Sequence, residues 1–169
     1  MHVHFEYKIP DFYSDFPARI IHFFKKNILL YIPDFILLII LIIPPYNLQQ
    51  TLIILTGLVI LSLRDVIVMK RITKYLYCFK VENSSVEYSI LRYSKIYEKR
   101  KVHISKVHLN LRSRKKPYRL EIYEGNELIH VQYALGYYSL EKLKELYKNF
   151  HNLKKDMDLG VMFRGASLN

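Results

Sequence analysis

Residues 23–69 read FFKKNILLYIPDFILLIILIIPPYNLQQTLIILTGLVILSLRDVIVM. Two apolar runs flank an uncharged turn, PPYNLQQ. A helix needs roughly 20 apolar residues to cross about 30 Å of hydrocarbon. Residues 23–43 have that length if Lys25, Lys26 and Asn27 sit at the interface, and residues 48–69 have it again. The stretches 35–43 and 52–63 carry no charge and are aliphatic on every face, so water solvates no side of them well. Pro44 and Pro45 suit a turn between helices. The expectation is a hairpin of two transmembrane helices. A buried hairpin in a soluble protein is the alternative, but the remaining chain offers little apolar surface to wrap it. A second alternative is a re-entrant hairpin that dips in and comes back, to which the short uncharged cores and Pro33 and Asp34 point. Backbone breaks at depth then need protein or water around them.

Basic residues set the expected orientation. Arg19, Lys25 and Lys26 precede the first run; Lys70, Arg71 and Lys74 follow the second; the turn has none. Short loops rich in Lys and Arg stay cytoplasmic, so both termini are expected there. No small-residue cleavage site follows the first apolar run, which is expected to act as an uncleaved insertion signal. Three charges lie within or beside the runs: Asp34, Arg64 and Asp65. In an antiparallel pair, Arg64 lies about one turn nearer the cytoplasm than Asp34. A long guanidinium arm could bridge that offset, making Asp34 and Arg64 a candidate intramembrane ion pair. In the competing reading, Arg64 and Asp65 snorkel to the interface and Asp34 caps a helix start.

The chain has 169 residues and a formal charge of +11, concentrated after the hairpin. Beside a bilayer such charge points first to anionic headgroups, then to nucleic acid. The single cysteine, Cys78, excludes an internal disulfide and a cysteine-based zinc site. Its apolar, strand-like setting suggests a buried structural thiol.

Residues 1–22 form a lead-in, irregular or briefly extended because Pro10 and Pro17 interrupt any helix. His2 and His4 share a strand face, but two histidines without a third ligand are an incidental pair. After residue 74 the period changes from helical to alternating. Strands are expected at 75–82, 85–92, 96–104, 107–112, 118–123 and 128–134, separated by turn signals such as Asn83-Ser84 and Gly125-Asn126. From Ser139, a good N-cap, Leu140, Leu143, Tyr147 and Phe150 form the apolar stripe of an amphipathic helix. Residues 156–169 have no period and are expected to be a mobile tail. The fold class is therefore a membrane α-hairpin at 23–70 followed by an α+β domain at 75–155, an antiparallel sheet or barrel capped by the C-terminal helix.

No catalytic pattern is present. There is no H-E-x-x-H, no Gly-rich phosphate loop and no G-x-S-x-G. His103, His108 and His130 have no defined mutual geometry. The informative cluster is RSRKKPYR, residues 112–119, with Arg112, Arg114, Lys115, Lys116 and Arg119 around Pro117. Lys99, Arg100 and Lys101 lie on the preceding strand, close enough in sequence to join it. Each such cation near an anionic leaflet adds about 1 kcal/mol. A solvated basic surface that only fixes orientation is the alternative. A nucleic-acid surface would need exposed aromatics beside these cations, and Tyr118 and Tyr123 are the nearest. Gly57 could allow close helix contact, within the chain or between copies.

The order of a helical membrane hairpin, antiparallel strands and a C-terminal helix resembles the bacterial pleckstrin-homology-like membrane proteins, including the YcxB-like families. VHISKVHLNL at 102–111 is similar to their strand-turn-strand element, and GYYSLEKLKELYKNF at 136–150 to their capping helix. His103 stands where that element has Pro, and six strands are readable where the full sheet has seven. The resemblance covers residues 20–155. It implies a pleckstrin-homology-like fold, the bacterial inner membrane and a non-enzymatic role tethered there. Expected partners are anionic lipids, a membrane protein or a second copy, with no cofactor.

Overall fold

The computed structural model describes residues 3–42 and 47–166. His2, Pro44 and Pro45 lie outside them. The chain opens with a strand, β1 (Val3–Lys8), and three helices follow: α1 (Phe16–Lys26), α2 (Ile32–Ile42) and α3 (Leu48–Thr73). Six strands come next: β2 (Lys74–Glu82), β3 (Ser85–Arg92), β4 (Lys95–His103), β5 (Val107–Arg112), β6 (Arg119–Glu124) and β7 (Glu127–Tyr133). The last element is helix α4 (Leu140–Ala166). The fold is α+β, with antiparallel sheets ordered β1-β2-β3-β4 and β5-β6-β7.

The lead-in supplies an element the periodicity left open. β1 pairs antiparallel with β2, with Tyr7 opposite Phe79. The two chain ends that flank α1–α3 therefore meet in one sheet. The tail differs as well: α4 runs past Lys155 to Ala166 as helix.

The first apolar run is not one helix. Asn27 ends α1, its side-chain amide donating to the Phe23 carbonyl at 2.8 Å. A 3-10 turn (Ile28–Tyr31) follows, and Pro33 then sits in the first turn of α2, where its missing N–H costs nothing. At 1.5 Å per residue, α2 is about 16 Å long, half a hydrocarbon thickness. Among the described residues, α3 alone has the length and apolarity to cross a membrane, and only 6% of its most apolar window is buried in the protein. Asn47 caps it, accepting from the Gln50 backbone while the Gln50 side chain accepts from the Asn47 backbone. A Cβ on Gly57 of α3 would meet Leu37 of α2 at 3.3 Å, so the two helices touch where there is no side chain to hold them apart.

Alternation buries one strand face. Leu76, Phe79 and Val81 on β2, Val86, Tyr88 and Ile90 on β3, and Leu120 and Ile122 on β6 form the core. Helix α4 closes it with Leu143, Leu146 and Phe150. Polar groups join the sheets. Gln132 on β7 accepts from the Leu76 backbone at 2.8 Å, and the Tyr138 hydroxyl donates to the Leu76 carbonyl at 3.1 Å. Gly136, at φ +63°, lets the chain turn where a Cβ would meet the Tyr75 hydroxyl at 3.1 Å.

Arg19 has a different place from an interfacial cation. It is 1% exposed. Its guanidinium donates to the carbonyls of Tyr13 (2.7 Å), Ser14 (2.9 Å) and Tyr93, and lies 5.1 Å from the Tyr75 ring centroid. It fastens α1 to the β3–β4 turn.

Candidate functional site

Strand register decides where the basic residues lie. In the second sheet, Tyr133 stands opposite Arg119, and Arg119 opposite Arg112. The loop between those two arginines carries Arg114, Lys115 and Lys116, all exposed. Tyr133 also meets α3, because the Arg71 guanidinium lies over its ring at 4.9 Å. The loop thus projects from the end of the domain where α3 joins it. Three residues of the first sheet share that end: Lys74 is opposite Arg92, and Arg92 opposite Lys95. All three are exposed. Lys74 and Arg92 both flank the exposed Tyr97 ring, at 5.5 and 5.6 Å.

The loop is shaped from below by one carboxylate. Glu121, in the middle of β6, is buried. It takes Arg119 at 2.8 Å, Arg112 at 3.5 Å, the Asn110 amide at 2.9 Å and the Tyr123 hydroxyl at 3.1 Å. Burial pushes the Glu121 carboxyl up, but Arg119, Tyr123 and Arg112 outweigh it and hold it below the usual carboxylate range. Residues 110–117 and Arg119 line an open pocket of about 560 Å³. The Lys116–Pro117 peptide is cis. Among the described residues no carboxylate pairs with Arg114, Lys115 or Lys116. Five cations of the cluster therefore divide into two that brace the loop and three that face outward.

Lys99, Arg100 and Lys101 are not part of this group. They lie toward the opposite end of β4, and Lys101 is about 20 Å along the strand from Lys95. Lys99 is held by Glu87 at 2.8 Å, and Arg100 by Glu98 at 2.6 Å and Glu124 at 3.2 Å. Glu124 ends β6, about 17 Å from Arg119 at its start. Nearness in sequence fails here because β4 and β5 belong to different sheets.

Tyr118 is half-buried, and Tyr123 is tied to Glu121. Cys78 is half-buried on β2 beside β1, its Sγ 3.7 Å from Glu6, and burial with that carboxylate pushes the thiol up to about 11. His130 is buried on β7, and burial lowers its imidazole to about 4. No group of three His, Cys, Asp or Glu side chains among the described residues could hold a metal ion.

The second cluster lies between the helices. Arg64 donates to Asp34 at 2.6 Å and to Asp65 at 3.1 Å, and its guanidinium lies 4.9 Å from the Tyr31 ring centroid. The contacts Leu37–Gly57 and Asp34–Arg64 run in opposite chain directions, so α2 and α3 are antiparallel. Arg64 is about 10 Å along α3 from Arg71.

Comparison with protein-family models, with curated proteins and with solved structures finds no match for this chain.

Proposed function

We propose that the chain is a membrane-anchored, non-catalytic interaction protein with a pleckstrin-homology-like domain, whose basic rim rests on anionic headgroups. α3 is the crossing helix. α2 and the preceding 3-10 turn return beside it as a shorter partner, and amphipathic α1 lies at the interface. The pairing of β1 with β2 supports a helical unit that enters and leaves on one side. The basic flanks put that side in the cytoplasm. The division into sheets of four and three strands with a closing helix supports the pleckstrin-homology-like reading.

One observation carries the headgroup assignment. The row Tyr133, Arg119, Arg112 is tied to α3 through Arg71. Three outward cations of the loop and the row Lys74, Arg92, Lys95 then lie at bilayer height. At about 1 kcal/mol per cation near an anionic surface, such a rim holds the domain against the leaflet. That attraction weakens as salt shortens the Debye length.

Hydrogen exchange tests this on the full chain in nanodiscs. The amides of residues 113–116 should exchange more slowly over anionic lipid than over neutral lipid. The difference should shrink at high salt and vanish in R114A/K115A/K116A. Equal exchange over both lipids would sink the headgroup reading.

A further inference from the structure

Two-residue turns join β2 to β3 and β3 to β4: Asn83-Ser84 and Tyr93-Ser94. The first residue of each lies in the left-handed region, Asn83 at φ +52° and Tyr93 at φ +55°. Asn enters that region readily, whereas a bulky aromatic residue does so at a cost. The turn geometry alone therefore does not account for a tyrosine at 93. The turn is held from three sides. The Tyr93 N–H donates to the carbonyl of Thr73, the last residue of α3, at 2.9 Å. Arg19 donates to the Tyr93 carbonyl. Ser94 Oγ accepts from the Phe16 N–H at 2.8 Å and donates to Asp15 at 2.9 Å.

What this hairpin tip presents is apolar. Tyr93, Ile96 and Tyr97 are each more than half exposed. Outside residues 16–67, the only other exposed large apolar side chains among the described residues are Phe12 and Leu128. The strand domain thus gathers most of its uncovered apolar side chains at one tip. Exposed cations surround it: Lys74, Arg92 and Lys95, the first two against the Tyr97 ring.

Helix length sets the height of the tip. The 26 residues of α3, at 1.5 Å each, span about 39 Å, close to the 40–45 Å of a bilayer with its headgroups. A crossing α3 therefore ends at Thr73 in the headgroup layer, and the tip bonded to Thr73 lies at that level. Tyrosine rings are enriched in this layer, and its phosphates are counter-charges for the surrounding cations. A second copy fits the patch poorly, because it would bring two sets of three cations together.

We propose that the β3–β4 tip is a lipid anchor, with Tyr93, Ile96 and Tyr97 inserted among the headgroups. The inference deepens the headgroup reading. It rests on α3 crossing the bilayer and on the height of the row Lys74, Arg92, Lys95, but not on the loop from Arg112 to Arg119.

The test uses the full chain, which has no tryptophan, in vesicles of phosphatidylcholine brominated at the top of the acyl chains. I96W and Y97W each place a single reporter at an exposed site, so the test stands if one of them does not fold. K101W, about 20 Å along β4 from Lys95, is the reference. I96W and Y97W should be quenched severalfold more than K101W, at low and at high salt alike, because apolar contact is not screened. Quenching of this kind together with lipid-independent exchange at 113–116 keeps the anchor and sinks the basic loop. Quenching that appears only over anionic lipid at low salt overturns the anchor and keeps the headgroup reading. Quenching no greater than that of K101W over either lipid overturns the anchor and removes Lys74, Arg92 and Lys95 from the headgroup contact.

Discussion

The Arg71 guanidinium lies over the Tyr133 ring, 4.9 Å from its centroid. This contact joins the last turns of α3 to the end of β7. It fixes which end of the second sheet faces the helices, and therefore where the basic loop points. A cation over an aromatic face contributes about 0.5–1 kcal/mol at a partly exposed site. A double-mutant cycle with R71A and Y133L, read by denaturant unfolding of the full chain in micelles, should return a coupling of about that size. A coupling near zero would mean that the contact does not orient the sheet.

Arg19 should be costly to remove. R19A leaves the Tyr13, Ser14 and Tyr93 carbonyls without their buried donor. Hydrogen bonds to charged groups contribute about 1.5–3 kcal/mol, and the loss here should be about 3 kcal/mol. R19K should recover less than half, because an ammonium cannot reproduce the planar fork. Unfolding midpoints with unchanged slope are the measurement. A loss under 1 kcal/mol would contradict the fastening role.

Glu121 should shape the acid limb of stability. Its carboxyl is held below the usual range, so its contribution is present above the unfolded pKa of about 4.3 and is lost as pH falls through the folded value. E121Q should flatten that limb and lower stability at neutral pH by about 1–3 kcal/mol. An unchanged acid limb in E121Q would show that Arg112 and Arg119 do not depend on it.

His130 acts at higher pH. Burial lowers its pKa from 6.5 to about 4. The unfolded chain binds the proton first, so stability is full above about pH 6.5 and falls toward pH 4 by on the order of 3 kcal/mol. H130L should remove that slope, leaving only the carboxylate limb. A slope that persists in H130L would assign it to another group.

The strands were legible because alternation is local. The periods that marked six strands agree with β2–β7 to within a residue or two. β1 was not legible as a sheet member, since its partner lies beyond three helices. The break in the first apolar run was hidden by hydropathy, which is blind to an Asn side chain folding back on its own helix. The rim was half legible. Arg112–Arg119 stood out as a charge run, whereas Lys74, Arg92 and Lys95 are brought together only by register. A bulge between Leu76 and Cys78 shifts that register, so counting back from the Asn83-Ser84 turn misses the pairing by one residue. Glu121 had a readable signal, since residues 119, 121 and 123 share a strand face. Arg19 looked like an interfacial charge because a sequence does not show which cation will be enclosed.

The loop from Arg112 to Arg119 should face the bilayer, and Lys99, Arg100 and Lys101 of β4 should face away from it. Spin labels at K115C and at K101C, each in a C78S background, test it in the full chain reconstituted in anionic vesicles. Their relaxation is read against a paramagnetic metal chelated to lipid headgroups. Relaxation should be strong at 115 and reduced by salt, and weak at 101. Equal relaxation at the two positions, or stronger relaxation at 101, would contradict it.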